Sequence, residues 1–409
     1  LPAQELTQEA TVAPAPLVIF TMAFACGAGA ANLYYAQPLI GLIGPTLGLG
    51  LSTAGLIVTL TQIGYATGLF LLVPLGDLLE NRRLIACTLG VVVLGLAAAA
   101  LSTSAVMFLA ASLLIGVSAV GVQMLVPFAA SLAPVAMRGR VVGTVMSGLL
   151  VGILLARPAS SLIAAALGWR AVFAASAVLM AAVTALLVLI LPDRRPALGQ
   201  SYRALIGSLW PLLRDTPVLQ RRTLYQSALF GSFALFWTAA PLMLAGPPFH
   251  LTQVGIALFA LAGAGGAFAA PIAGRLADAG WTRPGTGFSI SLVGAAFALS
   301  WLGARGHGSI ALLTIAAVLI DFGVQSNMVF GQRAIYTLAG QMRSRLNGIH
   351  IGVFFFGGAL GSALAGPALA FDGWAIVTLI GLALPGLALL AFATEFDWSR
   401  RRIASPSNR

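Results

Sequence analysis

The chain has 409 residues, 59% of them hydrophobic and only 8% charged, with a mean hydropathy of +0.98. Soluble domains carry roughly 45 to 50% apolar residues, so these values exclude an ordinary soluble domain and indicate an integral membrane protein. A net charge of +11 would suggest nucleic acid in a soluble chain, but all 22 basic residues are arginines, and nearly all of them fall at or between the ends of apolar runs. They read as orientation signals, and no nucleic acid is implied.

Residues 1–16 lack the basic region of a secretion signal and are expected to form a short cytoplasmic tail. Apolar segments follow at roughly 17–39, 53–75, 84–102, 106–133, 141–166 and 170–191. A second set lies at roughly 222–245, 252–276, 284–303, 309–335, 346–369 and 374–394. Each is about long enough to cross a hydrocarbon core of about 30 Å as a helix. The runs are continuous, without the alternation of barrel strands, so the expected fold is all-α with twelve transmembrane helices. Two six-helix halves, 17–191 and 222–394, flank a polar linker at 192–221, and residues 395–409 form a C-terminal tail.

Arginines cluster at 82–83, 138–140, in the linker, at 275–283, at 333–345 and in the C-terminal tail, whereas the alternate loops hold only Arg170 and Arg305. The positive-inside rule then places both termini and the linker in the cytoplasm. The halves also repeat. An offset of 205 residues carries Arg138 and Arg140 onto Arg343 and Arg345, Gly143 onto Gly348, Gly152 onto Gly357, and Gly168-Trp169 onto Gly373-Trp374. An offset of 198 carries Gly76 and Glu80 onto Gly274 and Asp278.

This organisation resembles the major facilitator superfamily, whose six-helix halves surround a central substrate cavity. Members carry a Gly-x-x-x-Asp-x-x-Gly-Arg-Arg motif between the second and third helices. Here Gly76, Asp77, Glu80, Arg82 and Arg83 stand in that place, with Glu80 for the aspartate and without the second glycine; GRLADAG at 274–280 is the copy in the other half. The stretches NLYYAQP (32–38), GDLLENRR (76–83) and RSRLNG (343–348) resemble bacterial arabinose-efflux-type and drug:proton antiporter permeases. The resemblance implies a monomeric secondary transporter that exchanges a small organic or amphipathic compound for protons, with proton-coupled import, uniport or a non-transporting receptor as alternatives. It also implies a cytoplasmic gate. Gly76 would let the second helix approach the eleventh, and Glu80 would pair with Arg138 or Arg140; Asp77, Arg82, Arg83, Gly274, Asp278, Arg343 and Arg345 belong to the same set.

Asp321 lies near the middle of the tenth segment, where an aspartate costs roughly 2.5 to 3.5 kcal/mol unless it faces the bundle interior. Asp321, Gln325, Met328 and Gln332 share one helix face. Two readings stand: a buried carboxylate satisfied by its neighbours, or one that binds and releases a proton between conformations. Arg157 lies 17 residues beyond Arg140, about 25 Å along a helix and toward the outer face. It either snorkels outward or holds an anionic group, that of a substrate or of Asp321. Asn32, Tyr35, Gln37, Gln62, Gln123, Tyr225, Trp237 and Gln325 are candidates to bind an uncharged polar substrate, or are interhelical contacts. Phe354, Phe355 and Phe356 line an apolar pocket or face lipid, and the glycine-rich fifth, eighth and eleventh helices are expected to carry the interface between halves.

His350 falls near the cytoplasmic end of the eleventh segment, and His250 and His307 fall in outer loops. These histidines and the two cysteines, Cys26 and Cys87, form no metal-site or disulfide spacing. No cofactor is implied, and no Ser/His constellation suggests an intramembrane enzyme.

Overall fold

A computed structural model of the chain describes residues 15–193, 201–306, 308–338 and 343–404. Most of the expected N-terminal tail, part of the linker, His307 and residues 405–409 lie outside the described residues, as does the side chain of Arg343. Every regular element among the described residues is helical. In the N-terminal half, α1 runs Pro16–Ala31 and resumes as Gln37–Leu39 and Ile40–Thr46. It is followed by α2 (Leu51–Asp77), α3 (Asn81–Ala100), α4 (Ala105–Leu132), α5 (Arg138–Leu167) and α6 (Trp169–Ile190). Two short linker helices, Tyr202–Gly207 and Leu209–Asp215, lead to α7 (Pro217–Ala245). In the second half, α8 comprises Gln253–Gly263, Ala264–Phe268 and Ala269–Asp278, followed by α9 (Thr282–Ala304) and α10 (Ile310–Tyr336). The last helical stretch, Arg343–Ala404, breaks at Asp372 and Gly373 into α11 (343–371) and α12 (374–404).

Local chemistry explains the boundaries. Pro16 opens α1, where its missing N–H costs nothing. Ser104 and Ser309 cap α4 and α10 by accepting from Met107 N and Leu312 N. Gly168 separates α5 from α6 with φ of 83°, and Gly373 separates α11 from α12 with φ of 58°. Both occupy a backbone region that other residues rarely adopt. The repeat offset of 205 thus superposes one turn geometry on the other.

Within the halves, α1 packs on α5, α2 on α4 and α3 on α6, while α7 packs on α11 and α9 on α10. A Cβ on Gly152 would collide with Gly27, and one on Gly361 would collide with Gly231, so glycines let the backbones of α1–α5 and α7–α11 touch. The interface between halves is built mainly from α5 on α8 and α2 on α11, with α7 against the end of α1. The glycine-rich α5, α8 and α11 expected there all take part, as does α2, whose expected approach to α11 is made at Gly55 and not at Gly76; the glycines at 148 and 152 of α5 serve its own half by packing on α1.

The bundle has a linker end and an opposite, far end. At the far end, Gly55 of α2 abuts Ser362 and Gly366 of α11, and the hydroxyls of Thr59 and Ser362 hydrogen-bond at 3.0 Å. Leu242 of α7 packs there on Ile40, Ala54 and Val58. Toward the linker end, α2 and α11 meet through Phe70, which lies against Gly352 and stacks on Phe356 at 6.3 Å. A cavity of about 150 Å³ lies beside them, lined by Leu69, Met124, Phe128, Leu205, Arg345 and Ile349 among others.

Candidate functional site

Two helices lose regular geometry at one level of the bundle. In α1, Asn32, Leu33, Tyr34, Gln37 and Leu39 each donate their backbone N–H to the carbonyl three residues back. Pro38 lies in this stretch and has no N–H to donate to Tyr34, so an ordinary helical turn is not available there. The tightened chain sets Tyr34 and Gln37 against the centre. In α8 the segment Ala264–Phe268 is likewise a tight turn. Gly263 seats the ring of Trp237, and Gly266 lies against Asp321, so α8 comes close to both residues through glycine backbone.

Arg157 stands at the middle of this level. It is buried, and it lies ten residues before the end of α5. Gln37, Trp237 and Asp321 lie nine, eight and eleven residues from the far ends of their own helices, so all four sit at a depth of about 12 to 16 Å. Arg157 Nε donates to Gln37 Oε1 at 2.8 Å. Its Nη1 approaches Asp321 Oδ2 at 3.9 Å, across the boundary between halves. The guanidinium carbon lies 4.2 Å from the ring centre of Trp237, 4.9 Å from Phe233 and 5.3 Å from Tyr34. These distances suit cation–π attraction. Trp237 Nε1 donates to Asp321 Oδ1 at 2.7 Å. Arg157 therefore does not snorkel outward, and the acid and base singled out in the sequence share one contact.

The remaining candidates separate into groups. Gln123 Nε2 donates to the Tyr65 hydroxyl at 2.7 Å, and the Tyr65 ring lies 4.6 Å from Phe355, joining α2, α4 and α11. Gln62 is buried beside Gly358, and its Oε1 has no hydrogen-bond partner. Phe354 and Phe355 face inward against Phe230. Asn32 accepts from the Ser176 hydroxyl at 2.7 Å and donates to carbonyls of its own helix, so it braces α1 on α6. Tyr35 and Gln325 are half-buried.

Tyr225 is placed apart from the centre. Its hydroxyl donates to Glu395 at 2.9 Å, in a cluster with Arg222 and Arg283 that ties α7 and α9 to α12 near the linker end. Phe233, Gly263 and Gly266 are site residues that sequence reading missed. Their only signal was spacing: Phe233 lies four residues before Trp237, on the same helix face.

The gate set also differs from expectation. Nothing lies within 4 Å of a Cβ built on Gly76 or Gly274, so neither mediates a close helix approach. Glu80 caps α3, accepting from Arg82 N at 2.8 Å and Arg83 N at 2.9 Å, with Arg83 Nε at 3.6 Å. The expected pairing with Arg138 or Arg140 is not among these contacts, and Arg138 donates to Ala133 O. Arg82 pairs with Asp193 at the start of the linker, and Arg333 with Asp278 within the second half. Asp77 and Arg345 both border the linker-end cavity.

Twelve membrane helices among the described residues, in two repeated halves with an ion pair between them, are the architecture of a membrane transporter. The chain belongs to the Major Facilitator Superfamily, whose family model matches residues 19–324. It is 40% identical over 382 residues to an uncharacterized transporter, YgaY, of Escherichia coli, covering 93% of this chain and 96% of the relative. It is 34% identical to a probable transporter, SCO4007, of Streptomyces coelicolor, covering 88% and 84% of the two chains. Among solved structures, the nucleoside transporter NupG matches with a TM-score of 0.75 at 15% identity over 93% of this chain and 99% of that one. The human organic anion transporter MFSD10 matches with a TM-score of 0.65 at 18% identity, over 92% and 97%. At these identities the likeness is one of fold.

Proposed function

We propose that this protein is a proton-coupled secondary transporter of a small organic compound, with Asp321 as the group that gains and loses the proton and the contact with Arg157 as the element that ties protonation to movement of the halves. The observation that carries this reading is the Arg157–Asp321 approach of 3.9 Å, because each partner belongs to a different half. Protonating Asp321 removes its charge and weakens the link between halves. The linker end is read as cytoplasmic, since the arginine-rich connections gather there.

Efflux by antiport, which the sequence resemblance implies, needs substrate and proton to replace one another. Import by symport needs them to bind together, and the donors left over around Arg157 favour this second sense. The test is uptake of a panel of labelled organic anions, cations and neutral solutes into proteoliposomes, with and without a pH gradient. Gradient-driven flux of at least one solute is expected in the parent and not in Asp321→Asn. Flux that ignores the gradient, or survives the substitution, would overturn the coupling role.

A further inference from the structure

We propose that the Arg157 guanidinium is the docking point for a small aromatic carboxylate, and that this anion binds by taking the place of Asp321, so that anion and proton cross the membrane together. The inference rests on the proton-coupling role of Asp321 proposed above and adds the substrate class and the sign of the coupling.

The donors around Arg157 are not exhausted. Its Nε is taken by Gln37, but Nη1 stands 3.9 Å from Asp321, beyond hydrogen-bond distance, and the buried Nη2 has no hydrogen-bond partner. Nη1 and Nη2 form the fork that binds a carboxylate through two parallel bonds. Gln37 Nε2 is a second buried donor without a partner, held nearby because Gln37 Oε1 is fixed by Arg157. Asp321 takes its one short hydrogen bond from Trp237. One carboxylate oxygen is therefore held by Trp237, while the other stands 3.9 Å from the fork, beyond hydrogen-bond distance, and leaves its donors open to an incoming anion.

The walls describe the rest of the ligand. Trp237 and Phe233 from the second half and Tyr34 from the first surround the guanidinium at 4.2 to 5.3 Å. Flat rings on several sides favour a flat apolar group next to the carboxylate. A cationic ligand would instead lie beside Arg157 and leave both unpartnered donors unmet.

Charge balance sets the coupling. Arg157 and ionised Asp321 together carry no net charge. An anion added alone would leave the buried site negative, which a low-dielectric interior strongly disfavours. If a proton from water enters with it, onto a carboxylate oxygen of Asp321, the site is again neutral: Arg157 pairs with the anion and Asp321 is a neutral acid still able to accept from Trp237. The charged or titratable groups facing Asp321 are Arg157 from α5 and the Tyr34 phenol from α1; α7 presents Trp237, and α8 presents Gly266. Linkage is reciprocal, so a proton favours the anion as the anion favours the proton. The result is electroneutral symport.

The experiment titrates the purified full chain with benzoate, cinnamate and indole-3-acetate, using benzamide and benzylamine as uncharged and cationic controls. Binding is followed by the thermal unfolding midpoint, and proton exchange by a pH dye in weak buffer. At least one carboxylate is expected to raise the midpoint, with uptake of about one proton per anion bound. Asp321→Asn should still bind the carboxylate but take up no proton. Adding Arg157→Gln to Asp321→Asn leaves no lone buried charge, and should weaken binding roughly tenfold or more, the loss of about 1.4 kcal/mol. The proposal is overturned if none of the three carboxylates binds, if benzylamine binds in preference, if carboxylate binding survives loss of Arg157, or if the parent binds without proton uptake. Gradient-driven, Asp321-dependent flux of a cation would overturn the substrate class alone, whereas flux that ignores the gradient would overturn the proton-coupled function.

Discussion

Trp237 Nε1 stands 2.7 Å from Asp321 Oδ1, whereas the Arg157 nitrogen nearest the carboxylate stands 3.9 Å from Oδ2. The indole, which belongs to the same half as Asp321, is the closer partner. Trp237→Phe keeps most of the ring and removes the donor, so it isolates that bond. Loss of a hydrogen bond to a charged acceptor should cost about 1.5 to 3 kcal/mol, read from denaturant or thermal unfolding in detergent. Gradient-driven flux should fall with it; unchanged stability would show that another donor had replaced the indole.

Glycine positions should divide sharply by location. Gly152→Val places side-chain atoms where the Gly27 backbone lies, and Gly361→Val does the same against Gly231. Each should destabilise by at least about 1 to 3 kcal/mol, the usual cost of overpacking. Gly274→Ala meets open space within a helix and should be neutral or stabilising by up to about 1 kcal/mol. Thermal unfolding of the three variants checks the contrast.

Glu80 distinguishes a cap from a latch. As the residue capping α3 it should tolerate Ser, which supplies a capping oxygen without charge, while Ala should cost about 1 kcal/mol. A charge latch would treat Ser and Ala alike. Flux and unfolding of Glu80→Ser and Glu80→Ala decide, with retained flux in the serine variant as the expected result.

Glu395 receives Arg222 Nη2 at 3.4 Å and the Tyr225 hydroxyl at 2.9 Å, with Arg283 at 3.9 Å. Glu395→Gln leaves Arg222 largely buried without its counter-charge, and should destabilise by about 3 to 5 kcal/mol. Arg222→Met combined with Glu395→Gln removes both charges and should recover much of that loss in unfolding measurements.

The twelve segments were legible because arginine, proline and glycine mark their ends while the interiors are almost uniformly apolar. Asp321 was legible for the same reason, since one acid in such a run needs a partner. What escaped was geometry set by contacts distant in sequence. Nothing near Pro38 indicated that the turn before it would set Gln37 against Arg157. Nothing in a glycine-rich run told Gly266, which seats Asp321, from Gly274, where an added Cβ would meet open space. Tyr225 looked like a ligand group because its partner, Glu395, lies 170 residues away in what read as a tail. Glu80 was read from its place in a motif, and its position just before Asn81, the first residue of α3, also suited the cap it forms.

The far-end contact between α2 and α11 carries a consequence for speed. Where Gly55, Gly366 and Ser362 meet, the surfaces in contact are largely main chain, and the side-chain bond across them is the single one between Thr59 and Ser362. Little interlocking has to be undone before α2 and α11 can part, and few rotamers must be found again when they meet. Opening on that side can proceed as the parting of two smooth rods, with its rate governed by how far the halves tilt. A bulky residue at position 55 would act as a wedge, holding the two helices apart while leaving the Arg157–Asp321 contact about 12 to 16 Å below it intact.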